Sequence, residues 1–174
     1  GKPILRRETD VSSLSNLRRL EDTQPEYTTV LLQPFLSALY ESMEMVCKKK
    51  GKTPCLQNSV TVSRLSIDTD FVTQVSNNLI ANAARYARNT ITISFALHDN
   101  GLLLSIADDG KGFDKNTLHK ATSPYFTEET DHFEHFGLGL YICKLLCERH
   151  DGYLRIENVS GGAKVIAFFK SSSL

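Results

Sequence analysis

Residues 91–97 alternate apolar and polar side chains, and residues 102–108 do the same after Asn100-Gly101. A strand points successive side chains to opposite faces, so each run predicts a strand with one covered face. Together they read as a hairpin turning at Asn100-Gly101, through two residues or more. A different period governs residues 69–87. Val72, Val75, Leu79, Ala83 and Tyr86 fall on one stripe at about 100° per residue, which predicts an amphipathic helix, with Asp68 as its N-cap. Helical rhythm also covers residues 35–47, with Pro34 in the first turn and Lys48-Lys49-Lys50-Gly51 as the stop. Residues 138–150 predict a third helix. Residues 152–157 and 164–169 predict a second hairpin around Ser160-Gly161-Gly162. Short strands are expected at 27–32, 55–57 and 60–67. Residues 113–136 have little periodicity and predict a long lid or binding loop. Near the start, Val11, Leu14, Leu17 and Leu20 recur at a three-residue step, which suggests a short amphipathic helix broken by Glu21-Asp22-Thr23-Gln24-Pro25. Mostly antiparallel strands with helices stacked on one face make an α+β fold, a two-layer α/β sandwich.

Composition narrows this picture in a few places. The 174 residues, 41% hydrophobic and 23% charged, suit one globular domain with a modest appendage. Twenty basic residues balance twenty acidic ones, so no nucleic acid is expected as a partner. No apolar run approaches the roughly 20 residues of a membrane helix. No secretory leader is visible, and the first residue resembles the start of a trimmed fragment. The four cysteines Cys47, Cys55, Cys143 and Cys147 are expected to be reduced and mostly buried. Cys143 and Cys147 stand four apart on a helix, too wide for a two-residue metal clip.

Three stretches carry candidate chemistry. Leu102, Leu104 and Ile106 share one parity, and Asp108 continues it into Asp109-Gly110-Lys111-Gly112. Asp108 should therefore point into a covered interior, where an unpartnered carboxylate costs several kcal/mol. Such an acid suits a small molecule with a donor group, and the two glycines permit a tight turn and close approach. On the 69–87 helix, Asn78, Asn82 and Arg85 share a face at i, i+4 and i+7. An amide oxygen can ligate a hard cation such as Mg²⁺, and an arginine can meet phosphate. A solvated helix edge accounts for the same residues equally well. Gly137-Leu138-Gly139-Leu140 opens the next helix, where free backbone N–H groups favour an anion. Taken alone, a glycine pair before a helix is common.

In order and spacing, these stretches resemble the ATP-binding catalytic domain of bacterial sensor histidine kinases. Asn78-Leu79-Ile80-Ala81-Asn82-Ala83-Ala84-Arg85-Tyr86 is similar to the family's N box, Asp108-Asp109-Gly110-Lys111-Gly112 to its G1 box and Gly137-Leu138-Gly139-Leu140-Tyr141-Ile142 to its G2 box. Tyr125-Phe126 lies where an F box would fall. The resemblance covers about residues 25–170 and implies the Bergerat fold shared with gyrase, MutL-like and heat-shock chaperone ATPases. It implies ATP and Mg²⁺ as cofactors. Asn82 would ligate the Mg²⁺ with Asn78 in support, and Arg85, in place of the usual lysine, would meet a phosphate. Tyr86 and Phe126 would flank the nucleotide. Asp108 would accept from the adenine amino group, with Gly110 and Gly112 admitting the base. Gly137, Leu138 and Gly139 would offer N–H groups to the phosphates. One departure is His135, where the family usually has a glycine.

The relatives that hydrolyse ATP carry a glutamate one turn before the metal-binding asparagine. That position here is Asn78, which cannot act as a general base. Phosphoryl transfer to a protein histidine is therefore expected, with positioning and charge neutralisation as the domain's contribution. His98, His119, His132, His135 and His150 all lack an acceptor-histidine context. Residues 1–24 are expected to be the tail of a dimerisation and phosphoacceptor region, and residues 25–174 the catalytic domain. A response regulator and the acceptor domain are the implied partners. The fragment is expected to be soluble. It would be the cytoplasmic part of a homodimeric cell-membrane sensor. A Bergerat-fold ATPase clamp, an anti-sigma-type serine kinase and a nucleotide-dead binding module remain alternatives. Gly51-Lys52-Thr53 echoes the end of a P-loop, but Val46 stands where its first glycine should be. Asp108 to Asp114 lacks EF-hand spacing.

Overall fold

A computed structural model of the chain describes residues 22–121 and 137–172. Residues 1–21, with the expected leading helix, and residues 122–136, with Phe126 and His135, lie outside the described residues. Strand β1 (Thr28–Leu31) pairs antiparallel with β3 (Arg64–Ile67) in a small separate sheet. The main sheet has five strands in the order β2, β4, β5, β7, β6. They are β2 (Thr53–Asn58), β4 (Thr90–His98), β5 (Gly101–Asp108), β6 (Tyr153–Val159) and β7 (Gly162–Lys170). β2 runs parallel to β4, and every other neighbouring pair is antiparallel.

Alternation decides which sheet face is covered. Ile91, Ile93 and Phe95 of β4, Leu102, Leu104 and Ile106 of β5, and Ala167 and Phe169 of β7 are buried. They join one core with three helices: α1 (Leu32–Lys49), α2 (Thr69–Tyr86) and α4 (Gly137–Arg149). Helix α1 contributes Leu32, Leu36, Leu39, Met43 and Cys47. Helix α2 contributes its stripe of Val72, Val75, Leu79 and Ala83, and α4 adds Leu140, Cys143, Leu146 and Cys147. Each fully buried aliphatic side chain stabilises the fold by about 1.5–3 kcal/mol. The α+β two-layer sandwich expected from the sequence is the one observed. All four cysteines are free thiols, three of them buried and Cys55 exposed.

Asp68 caps α2, its Oδ1 accepting from the Phe71 N–H at 3.1 Å. The opposite end is capped by a side chain from a distant loop. Lys52 donates to the Ala87 carbonyl, and to that of Arg88 at 3.4 Å. That use of Lys52 accounts for the P-loop echo as a structural feature.

Three local expectations need correction. The β4–β5 turn is Asp99-Asn100, both left-handed at φ 45° and 58°, and Gly101 pairs with His98 inside the strands. Glycine is needed there because a Cβ would lie 2.5 Å from the Phe169 carbonyl and 2.7 Å from the Phe168 ring. The third strand is shorter than residues 60–67 and begins at Arg64. Residues 113–136 are not all loop: Lys115–Ala121 forms helix α3, capped by Asp114, whose Oδ1 accepts from the Thr117 N–H at 2.7 Å.

Candidate nucleotide-binding cleft

The end of β5 meets the C-terminal half of α2 at a cleft of about 280 Å³, near the lower end of small-molecule sites. Its floor is Ile106 and Asp108 of β5 with Ala163 and Val165 of β7. Leu79, Asn82, Ala83 and Tyr86 of α2 form one wall. The segment Lys111 to Asp114 forms another, and Leu140 of α4 closes the far end. Parity thus carries Asp108 into the same space as the helix stripe. It is half-buried rather than fully enclosed.

The Asp108 carboxylate already accepts from the Gly110 N–H at 2.8 Å. Burial pushes its pKa above the ordinary 3.8, with the charge of Asp109 adding to the rise; the N–H groups of Gly110 and Ala163 pull it back. Next to it, Asp109 is shifted the other way. It accepts from three consecutive backbone N–H groups: Arg88 at 2.8 Å, Asn89 at 2.9 Å and Thr90 at 3.0 Å. These bonds, Asn89 first, hold its carboxyl below the ordinary value against the opposing effect of desolvation. Asp109 thereby ties the α2–β4 connection to the end of β5, so Tyr86 and Asp108 are held by one brace.

The glycines of this loop have local reasons that precede any ligand. A Cβ at Gly110 would lie 2.3 Å from the Tyr86 carbonyl and 2.9 Å from Asp108 Oδ1. Gly112 has φ +80°, and a Cβ there would meet Asn158 Oδ1 at 2.7 Å. Asn158 in turn braces the segment on both sides of Phe113, accepting from its N–H at 2.7 Å and donating to its carbonyl at 2.8 Å.

At the other end, α2 and α4 cross with two amides facing a glycine. A Cβ at Gly139 would lie 3.9 Å from both Asn78 Oδ1 and Asn82 Nδ2. Asn78 Nδ2 donates to the Gln74 carbonyl at 3.1 Å. Gly137, Leu138 and Gly139 occupy the first turn of α4, where backbone N–H groups lack intrahelical partners. The structure therefore gathers Asn82, Tyr86 and Asp108 on one cleft, puts Gly110 and Gly112 in its loop, and brings Asn78 and Gly139 to its far end. Arg85 is exposed and does not line the cleft, whereas Lys111 does.

Asp109 and Asn158 were not singled out by sequence reasoning. Asparagine is disfavoured in a strand, which was the available signal for Asn158. Asp109 gave none beyond its neighbour, because its partners lie about 20 residues away.

Comparison with known proteins agrees with this fold. The family described as histidine kinase-, DNA gyrase B-, and HSP90-like ATPase matches residues 67–173. Sensor histidine kinase ZraS of Salmonella typhimurium is 30% identical over 112 residues, covering 63% of this chain; the chain spans 23% of that protein's length. Among solved structures, the catalytic domain of histidine kinase ThkA is 26% identical with a TM-score of 0.68, covering 83% of this chain and 95% of that one. A structure of ThkA in complex with response regulator protein TrrA is 22% identical with a TM-score of 0.73, covering 98% of this chain and 49% of that one, a likeness of fold.

Proposed function

Because the chain belongs to the histidine kinase-, DNA gyrase B-, and HSP90-like ATPase family, an ATP-binding family, we propose that the cleft holds ATP with Mg²⁺ for transfer of the γ-phosphoryl group to a protein histidine. The carrying observation is one cleft with a desolvated carboxylate at one end and the α2–α4 amide seam at the other. An exocyclic amino group offers the donor that a half-buried carboxylate favours. The residues at the far end fit Mg²⁺, which takes oxygen ligands, keeps several waters and needs few protein groups beside the phosphates. Asn82 would hold it through its amide oxygen, with Asn78 alongside. When bound, the ion neutralises phosphate charge. The N–H groups of Gly137, Leu138 and Gly139 would meet the phosphates. Tyr86 would flank the nucleotide. Arg85, exposed on the same helix, would reach a phosphate only from outside the cleft, and Lys111 is a second cation for that role.

Transfer is favoured over hydrolysis by what stands beside Asn82. Asn78 occupies the preceding turn and binds back to its own helix. Of the carboxylates on the cleft, Asp108 binds Gly110 and Asp114 caps α3. Among the described residues, no group beside Asn82 is thus poised to take a proton from water. The acceptor would be a histidine on a dimerisation domain preceding this one, and the phosphoryl group would pass on to a response-regulator aspartate. The ThkA–TrrA complex supports a regulator as partner, and the likeness to sensor histidine kinase ZraS supports a sensor; this domain would lie on the cytoplasmic side of a membrane-bound homodimer. No helix among the described residues is long and apolar enough to cross a membrane.

Two measurements test this. Calorimetry should show ATP binding that strengthens with Mg²⁺; no binding in either condition would refute the cleft assignment. Labelled ATP should phosphorylate a separately prepared dimerisation segment of the full-length protein only when this chain is added, with no stable phosphohistidine on the chain alone. Label on the chain itself would overturn the assignment of the acceptor to another domain.

A further inference from the structure

His150 is fully buried just past the end of α4, at 0% exposure, and plays no part in the nucleotide cleft. Its Nε2 accepts from the Asp68 N–H at 2.9 Å. A neutral ring accepting there carries its proton on Nδ1, and Nδ1 has no hydrogen-bond partner among the described residues. Three aromatic rings pack against the imidazole in T-shaped pairs: Tyr27 at 5.0 Å, Phe169 at 5.5 Å and Phe71 at 6.2 Å. Asp68 makes a second connection. While its Oδ1 caps α2, its Oδ2 accepts from the backbone N–H of Glu26 at 2.8 Å. Glu26 and Tyr27 belong to the segment that leads into β1. One aspartate and one histidine therefore join that segment to both the start of α2 and the end of α4.

We propose that Asp68 and His150 form a latch that fastens the entering segment at Glu26-Tyr27 to α2, and that protonation of His150 opens it. A proton taken from solvent by Nε2 removes the lone pair that receives the Asp68 N–H. The ring then has two donors and no acceptor, and the Asp68 carboxylate is the acceptor at hand. Drawing that carboxylate toward the imidazolium takes it from Glu26, while burial disfavours the cation. Charged or titratable groups on the surrounding elements are Glu26 and Tyr27 on the entering segment, Asp68 and Asp70 on α2, Glu148, Arg149 and Asp151 around the end of α4, and Lys170 on β7. Burial holds the ring neutral; the backbone of His150 itself, then Asp68, the Lys170 backbone and Asp151, oppose that by favouring the cation. The latch fixes how the chain enters the domain relative to the helix that carries Asn82. It does not depend on what the cleft binds.

Nuclear magnetic resonance on this chain without nucleotide tests it. At neutral pH the His150 ring should show the proton on Nδ1. As pH falls, the ring should titrate below the ordinary 6.5. With the same midpoint, the Glu26 amide should lose protection by about tenfold beyond its intrinsic pH dependence. Asp68→Asn keeps a good cap for α2 but cannot accept from Glu26 if its amide nitrogen takes the Oδ2 place. It should expose that amide at every pH while the α2 amides stay protected. A proton on Nε2, a Glu26 amide unmoved through the His150 titration, or a ring still neutral when the whole chain unfolds would each overturn the latch. Full Glu26 protection in Asp68→Asn would overturn it as well.

Discussion

The two ends of the cleft are built on opposite principles. Around Asp108 the backbone is cross-braced and crowded: Asp109 holds three N–H groups, Asn158 holds both sides of Phe113, and a Cβ at Gly110 would collide with the Tyr86 carbonyl. Around Asn82 the contact is loose, two amides at ordinary van der Waals distance from a glycine in the first turn of a helix. A rigid end suits a flat ring read by one carboxylate. An open end suits a ligand that brings its own ion and waters.

The same substitution should have opposite signs at the two ends. Gly110→Ala forces a methyl against a backbone carbonyl and is expected to cost about 2–3 kcal/mol, or roughly 5–10 °C in Tm. Gly139→Ala meets only contacts at 3.9 Å and gains about 0.5–1 kcal/mol from helix propensity. ATP–Mg²⁺ affinity should nevertheless fall, about tenfold, as the methyl enters the amide seam. Thermal melts and calorimetry on the two variants check this, and equal loss of stability in both would erase the contrast.

Smaller changes sharpen it. Asp109→Ala and Asn158→Ala should each cost about 1–2 kcal/mol in chemical denaturation, through backbone groups left without their partners. Asn82→Ala should stay within about 0.5 kcal/mol of the parent. If Asn82→Ala destabilised the chain as much as Asp109→Ala, the loose end would be as structural as the rigid one.

The smallest effects are in pH. Asp108 has a raised pKa, so its stability contribution is fully present below the ordinary 3.8 and lost as pH rises through the folded value. Its ionised form is the better acceptor, so adenosine binding should weaken as pH falls through that same folded value. Asp109 is lowered and His150 is lowered. Both contribute stability that is present above their ordinary 3.8 and 6.5 and lost as pH falls through the folded values. Stability measured from pH 7 downward should therefore fall first with His150, then with Asp109. A rise in stability just below pH 6.5 would contradict the sign for His150.

What could be read in advance follows from the range of each interaction. The cap at Asp68 and the stripe of α2 are local, and Asp108 was placed by parity over a few residues. The braces were hidden because Asp109 and Asn158 find their partners about 20 and 45 residues away. Helix α3 was missed because Leu118 is its lone large apolar residue, too little to show a period. The first hairpin turn was misplaced by one residue, since Gly101 is required by Phe168 and Phe169 on a strand far along the chain. Arg85 shares a helix face with Asn82 in sequence terms, yet its side chain is exposed outside the cleft lining.

The division of labour between the two ends is tested most directly by titrating adenosine and ATP–Mg²⁺ into Asp108→Asn and Asn82→Ala by calorimetry. Asp108→Asn should weaken both ligands by a similar factor, about tenfold. Asn82→Ala should weaken ATP–Mg²⁺ on the order of 100-fold and leave adenosine unchanged. Adenosine affinity lost in Asn82→Ala, or kept in Asp108→Asn, would contradict a cleft that holds the base at the carboxylate and the metal at the amide.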